Sequence, residues 1–289
     1  MAISQNYVDV LTIGYGQTID NTFEGTNEST TVSTIDLDFT YPVVLSDAQA
    51  LITGITFNKN DLQLFPSASS TSLYSTILKL GLASTWTEKW STTLVLLPKI
   101  ASDYENISSD DFYFGGFALL KLKKSEHLTY RFGAYASTEA FGTFTTPIIG
   151  WYYMSPSQKF EMDVSLPIAV DINYTFGALT TGLHYIGIGR SFRLDNQGPT
   201  GQYVDVSSLD FSAYLQLNIL DNSVLLRGKL GYSSSNYEVY NENEKISLGL
   251  SAFSFGDDRT QLNPELNGSL FAKVEAVYRF QLSTTKTEQ

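Results

Sequence analysis

Between Leu266 and Leu282 apolar and polar positions alternate without a break. Leu266, Gly268, Leu270, Ala272, Val274, Ala276, Tyr278, Phe280 and Leu282 form one set, and Asn267, Ser269, Lys273, Glu275, Arg279 and Gln281 fall in the other. A period of two places each set on its own face of a β-strand. The run is seventeen residues long, where a strand of a globular domain usually has about five or six. Apolar outward, ionisable inward and an aromatic pair near the end is the pattern of a wall strand in a transmembrane β-barrel. A soluble sandwich or lipocalin-like barrel can show one such strand, so repetition along the chain has to decide.

The pattern repeats. Ile35, Leu37, Phe39 and Tyr41 alternate with Asp36, Asp38 and Thr40; Leu209, Phe211, Ala213, Leu215 and Leu217 alternate with Asp210, Ser212, Tyr214 and Gln216. Similar runs cover Trp90–Ile100, Phe112–Leu122, Leu128–Ser137 and Val224–Ser233. A tilted strand needs about nine to eleven residues to cross the hydrocarbon, whereas a soluble sandwich has no use for so many strands of that length. The fold class expected is therefore all-β, a transmembrane antiparallel barrel of about fourteen strands, with twelve to sixteen acceptable. The strands predicted are 7–17, 31–44, 50–58, 72–85, 90–101, 112–122, 127–137, 145–154, 159–175, 180–192, 206–220, 223–233, 245–255 and 265–282. Tight-turn residues at Ser46–Gln49, Lys123–Glu126, Ser155–Gln158 and Asp221-Asn222 separate them from longer polar loops. The ninth is contested. Phe160, Met162, Val164, Leu166, Ile168, Val170, Ile172 and Tyr174 hold one phase, which favours a single strand, because a two-residue hairpin would reverse it. Pro167 in the middle argues for a break.

Composition narrows the class further. The chain has 18 Tyr, 18 Phe and 3 Trp, enough for girdles at both membrane interfaces, and only 17% charged residues. No run of eighteen apolar residues is present, so a helical membrane span is excluded. Zero cysteines remove disulfides and thiolate metal sites. A net charge of −12 argues against a nucleic-acid partner. Much of that charge sits in loops such as Ser108–Asp111 and Asn241–Glu244, read as solvated tips rather than calcium ligands. Met1–Asn6 has neither a basic nor an apolar targeting region, so the chain is expected to be the mature form of an exported protein. Residues 1–6 are expected to be a periplasmic segment, 7–282 the barrel and 283–289 a disordered polar tail.

Catalytic patterns are nearly absent. His127 and His184 are the two histidines, and no segment pairs a serine with His184 at a telling spacing. Gly14-Tyr15-Gly16 and Gly187-Ile188-Gly189 sit in strands with no helix after them, so they are not phosphate loops. The expectation is a non-enzyme without cofactor or metal. The inward faces carry the function-like signal. Asp36, Asp38, Glu161, Asp163, Asp210 and Glu275 share the lumen phase with Lys79, Lys99, Arg131, Arg227, Lys229, Lys273 and Arg279. Six acids and seven bases can pair across the interior and close it, or line a narrow wet pore. Tyr113, Phe117, Tyr135, Tyr214 and Phe271 also point inward, leaving room for a pocket that takes an amphipathic molecule. Two functions stay open: a narrow channel or binding barrel for a small solute, and a closed barrel serving as scaffold subunit of an outer-membrane complex. Partners on either reading are outer-membrane lipid and lipopolysaccharide, joined on the second by other outer-membrane proteins.

Phe39–Leu45 leading into Ala50–Gly54 resembles the start of an uncharacterised outer-membrane β-barrel family common in Bacteroidota. Leu97–Asp103, Gly150-Trp151-Tyr152-Tyr153, Leu166-Pro167 and Val277–Phe280 extend the resemblance over most of the chain. It implies an outer-membrane barrel and no substrate, the family being a domain of unknown function. More distantly, the architecture is similar to barrel channels of aromatic-compound uptake, at the level of fold alone.

Overall fold

The structure, a computed structural model, describes residues 7–195 and 201–281; the expected periplasmic segment 1–6 and polar tail 283–289 lie outside the described residues. Fourteen long strands, each antiparallel to the next, close into a barrel. In chain order they are β1 (Tyr7–Thr18), β2 (Ser33–Ser46), β3 (Gln49–Leu62), β4 (Thr71–Thr85), β5 (Trp90–Ser102), β6 (Phe112–Lys123) and β7 (Leu128–Glu139). The second half comprises β8 (Gly142–Met154), β9 (Phe160–Leu166), β10 (Ala169–Phe176), β11 (Leu179–Leu194), β12 (Gln202–Ile219), β13 (Val224–Asn241) and β14 (Ser269–Gln281). β14 closes the ring on β1, from Tyr7↔Gln281 to Thr18↔Phe271.

The period-two pattern explains the wall. Leu80, Leu94, Ile149, Leu183, Phe211, Leu215, Leu230 and Val274 all face outward and are exposed, Leu230 at 70% and Val274 at 62%. In water such a belt would drive aggregation; in lipid it is the solvated surface. Aromatic residues gather at the edge of the belt where the short turns lie: Tyr41, Trp86, Trp90, Tyr174, Phe176, Tyr278 and Phe280 are exposed there. Tight connections such as 47–48, 177–178 and 220–223 occupy this turn end, together with Tyr7 and Gln281. The connections 19–32, 63–70, 103–111 and 242–268 occupy the opposite, loop end.

Two of the expected strands differ. Residues 159–175 are not one strand but the hairpin β9–β10, with Ile168 N–H donating to Ser165 O at 2.8 Å and Pro167 in the turn instead of a ladder. The register pairs Ser165 with Ala169 and Val164 with Val170. Three residues thus separate the last partners, and an odd loop keeps the hydrophobic phase where a two-residue loop would reverse it. Residues 245–255 do not enter the wall. β13 and β14 are already neighbours, Val224↔Tyr278 to Ser233↔Ser269, and leave no slot between them. Instead Leu248–Leu250 and Phe253–Phe255 form a small hairpin, whose Gly249 and Leu250 run parallel to Phe144 and Thr145 of β8. This hairpin covers the β8 edge that the short β9 does not reach. The two differences cancel, so the count of fourteen holds.

Candidate functional site

The lumen has two unlike halves, and the short hairpin creates the difference. β11 leaves β10 at Gly187, whose N–H donates to Ile168 O at 2.8 Å. Beyond that point it leans across the lumen to β5, where Arg193 pairs in parallel with Ser102 and Asp103 N–H donates to Arg193 O at 3.1 Å. Toward the loop end the ring is thus closed by β1–β5 and β11–β14 alone. So small a ring is filled by side chains, and this one is filled by hydrophobes. Leu62, Leu73, Ala101, Phe192, Val204, Val206, Tyr237 and Val239 from the wall pack with Phe23, Leu64 and Leu266 from the loops. Phe192, Val204 and Val239 have no exposed surface. Asn263 fixes the 242–268 loop in this plug, donating to Leu64 O at 3.0 Å and Tyr237 O at 2.8 Å while accepting from Val239 N–H at 2.8 Å. Arg259 adds a second anchor, with Nη1 2.9 Å from Asp205, Nε 2.9 Å from Asp257 and its plane over the Tyr240 ring at 4.0 Å.

The turn-end half holds a cavity of about 860 Å³ that reaches the turn residues Gln158 and Asn222. One side is apolar, from Leu97, Phe117, Leu119 and Ile148. The other is polar, from Asp171, Asn173, His184, Tyr214, Gln216 and Asn218.

The inward ionisable residues fall into separate groups around this half. Lys79 Nζ lies 2.6 Å from Asp38, which also accepts from Thr56 at 2.8 Å. Lys273 bridges Asp36 at 2.7 Å and Glu275 at 3.4 Å; Glu275 further holds Lys229 at 2.9 Å and Arg227 at 3.4 Å. Glu275 thus serves three cations at once. Arg131 meets Asp163 at 2.7 Å and Ser165 at 2.9 Å. Arg279 meets Asp9 at 2.6 Å and stacks 3.5 Å over the Tyr7 ring. Glu161 accepts from the Tyr7 hydroxyl at 2.5 Å and Asp210 from the Ser233 hydroxyl at 2.5 Å, so these two acids are held by hydroxyls. Lys99 lies apart, nearer the loop end, 2.7 Å from Glu139, which also accepts from Ser191 N–H at 2.9 Å.

Sequence reasoning passed over several partners. Asp9 lies in the predicted first strand, and its alternation with Val8 and Val10 was the available signal. Glu139 falls two residues beyond the expected end of its strand, and only the extended ladder to Gly142 brings it inward. Lys121 shares the inward phase of Tyr113 and Phe117. Arg190 donates to Asn58 at 2.9 Å and lies over the Phe192 ring at 5.9 Å. Among the described residues no group of three or more His, Asp and Glu side chains is arranged to hold a metal ion. Of the acidic loop residues expected to be solvated, Asp111 is instead buried, accepting from Ser108 N–H at 2.6 Å with Arg193 3.8 Å from its other oxygen, while Glu244 accepts from the Asn241 side chain at 2.9 Å.

A family model for a domain of unknown function, DUF6268, matches residues 54–224, from β3 to the start of β13. The chain belongs to the DUF6268 family. That match spans the short hairpin and the departure of β11, the features that divide the lumen of this DUF6268 barrel. No curated protein matches the chain. Among solved structures it is similar to the COG4313 outer membrane channel from Pseudomonas putida F1, at 11% identity over 94% of each chain and a TM-score of 0.45. It is also similar to a deltaS2 mutant of the TodX monoaromatic hydrocarbon channel, at 11% identity over 94% of this chain and 91% of that one, TM-score 0.33. A third is OccAB4 of Acinetobacter baumannii, at 10% identity over 96% and 100% of the two chains, TM-score 0.30. What these share with the DUF6268 chain is barrel architecture.

Proposed function

We propose that the chain is an outer-membrane barrel, not an enzyme, that binds a small solute in a pocket open to the periplasm and keeps its extracellular side sealed. The observation that carries this is the pairing of a packed apolar plug at the loop end with an 860 Å³ cavity at the turn end, apolar on one side and polar on the other. Short turns and chain termini on the periplasmic side, with long loops outside, is the usual orientation of such barrels. A scaffold subunit would account for the plug but gives no reason for a solvent-reaching cavity lined by Arg131, Arg227 and Arg279.

The chain has no cysteine, so single-cysteine variants report cleanly. Asn218→Cys, at the cavity mouth, should resist a membrane-impermeant maleimide added to intact cells and react once the outer membrane is permeabilised. The wild type should show no steady conductance in planar bilayers. Equal labelling in both conditions, or a stable wild-type pore, would overturn the reading.

A further inference from the structure

Four carboxylates, Asp9, Glu161, Asp163 and Asp171, line the cavity against three arginines. Each arginine is already engaged. Arg279 holds Asp9 at 2.6 Å and Arg131 holds Asp163 at 2.7 Å. Arg227 reaches Glu275 at 3.4 Å and gives its Nε and Nη2 to Gln216. Glu161 and Asp171 are left with neutral donors. Glu161 is buried and accepts from the Tyr7 hydroxyl. Asp171 differs, because one of its oxygens stays open. Its Oδ1 accepts from Tyr214 at 2.9 Å and from Asn173 at 2.8 Å. Its Oδ2 is not buried and has no partner among the described residues, so it opens to the cavity that Asp171 lines.

Register gives this carboxylate two neighbours. Asp171 of β10 stands directly opposite Asp163 of β9 on one side and His184 of β11 on the other. Like charges directly opposite each other repel unless a cation is supplied. Arg131 binds Asp163, and among the described residues no lysine or arginine lies within ion-pair distance of Asp171. His184 lines the cavity too and makes no hydrogen bond among the described residues. Directly opposed side chains start about 4.5–5.5 Å apart at Cβ, near enough for one small donor group to touch both. Tyr214 reaches Asp171 by lying across Gly182, where an added Cβ would come 2.5 Å from its ring. The carboxylate is thus fixed by neutral groups. The other side of the cavity is apolar, from Leu97, Phe117, Leu119 and Ile148.

We propose that Asp171 and His184 bind the ammonium group of a small amphipathic amine whose alkyl body lies along Leu119, Ile148 and Phe117. This rests on the periplasmic-pocket reading and names its ligand class. One open carboxylate oxygen suits a monocation. An alkylammonium carries three donors, as a lysine side chain does. One goes to Asp171 Oδ2, one to a ring nitrogen of His184 and the third to water. A charge-assisted bond of this kind is roughly twice as strong as a neutral one. A bare metal ion is poorly served, because among the described residues no three acid or histidine side chains converge on one point.

The test uses hexylammonium, with hexan-1-ol, hexanoate and butylammonium as comparisons, titrated calorimetrically into the full-length barrel in non-ionic detergent at neutral pH. Hexylammonium should bind saturably at one site per chain, with hexan-1-ol and hexanoate each weaker by roughly tenfold or more. Butylammonium, shorter by two CH₂ groups, should also bind roughly tenfold more weakly. Asp171→Asn keeps an acceptor for Tyr214 and should weaken hexylammonium by roughly tenfold while leaving hexan-1-ol unchanged. His184 has no hydrogen bond to lose, so His184→Leu decides the matter should Asp171→Asn fail to fold; it should weaken hexylammonium by roughly fivefold. Absence of saturable hexylammonium binding would overturn the inference. So would any of the three comparison compounds binding as tightly, or an unchanged affinity in either variant. Asn218→Cys labelling needs no ligand, so periplasm-only labelling without hexylammonium binding would remove this inference and leave the pocket standing.

Discussion

Tyr7 and Glu161 meet across the lumen, the phenol of β1 donating to the carboxylate of β9 at 2.5 Å. Five strands separate them one way round the ring and seven the other, so the contact runs close to a diameter. It ties the first strand to the short hairpin, and Glu161 is 9% exposed. Tyr7→Phe should cost about 1–3 kcal/mol, the usual loss when a buried acceptor forfeits its donor. A double-mutant cycle with Glu161→Gln, read by urea unfolding in detergent, should show coupling above about 0.5 kcal/mol. Strict additivity would mean the strut does not form.

The outward face should tolerate no cation. Leu230→Arg and Val274→Arg, both on exposed wall positions, are each expected to lose about 2–4 kcal/mol in a bilayer. Asn218→Arg, at the cavity mouth, should lose less than about 1 kcal/mol, as surface changes usually do. Equilibrium unfolding from lipid vesicles compares the three, and equal losses would contradict the facing of the wall.

Glycine is required where strands approach closely. A Cβ at Gly150 of β8 would lie 1.8 Å from Val164 O of β9, whereas one at Gly228 meets nothing within 4 Å. Gly150→Ala should therefore cost about 1–3 kcal/mol by forcing the ladder apart. Gly228→Ala should stay within about 0.5 kcal/mol of wild type. Thermal melts of the two variants in detergent suffice to separate them.

Acid should loosen the plug loop. The Arg259 guanidinium hydrogen-bonded to Asp257 holds that carboxyl below its ordinary range, and the Asn241 side chain does the same for Glu244. For both, the folded value lies below the unfolded one. Their contribution is complete above the unfolded value, about 4, and is lost as pH falls through the depressed folded value. Asp103 has the opposite sign: burial raises it, so its contribution is present in acid and fades as pH rises through its folded value. Limited proteolysis of 242–268 should accelerate below about pH 4, and Arg259→Gln should remove most of that pH dependence. A cleavage rate flat from neutral to acid pH would refute this.

The fold was legible because its signal is redundant. Fourteen runs of period two tolerate a local misreading, and the pairs Asp36–Lys273 and Arg131–Asp163 join residues whose inward phase shows in each strand separately. What sequence could not supply was loop parity. The 166–168 turn preserves phase because it is odd, so β9 and β10 look continuous. The plug was hidden for another reason. Phe23 and Leu64 lie in stretches that are mostly polar, and isolated hydrophobes of this kind have no period to read; Leu266 kept the outward phase of the last run, but that strand begins only at Ser269 and Leu266 is buried in the plug.

Strand number sets the circumference of a barrel, yet circumference alone does not decide how much of its length holds water. Here the bore is set by the height at which β11 parts from β10, at Gly187. Trimming the outer loops would shorten the stopper without widening the throat behind it, because Phe192, Val204 and Tyr237 belong to the wall itself. Lengthening β9 and β10 by two residues each would move the parting point outward by about 7 Å of strand and deepen the wet chamber by a comparable step. The depth of the pocket is therefore a property that hairpin length can tune, one residue pair at a time, without altering the fourteen-strand count.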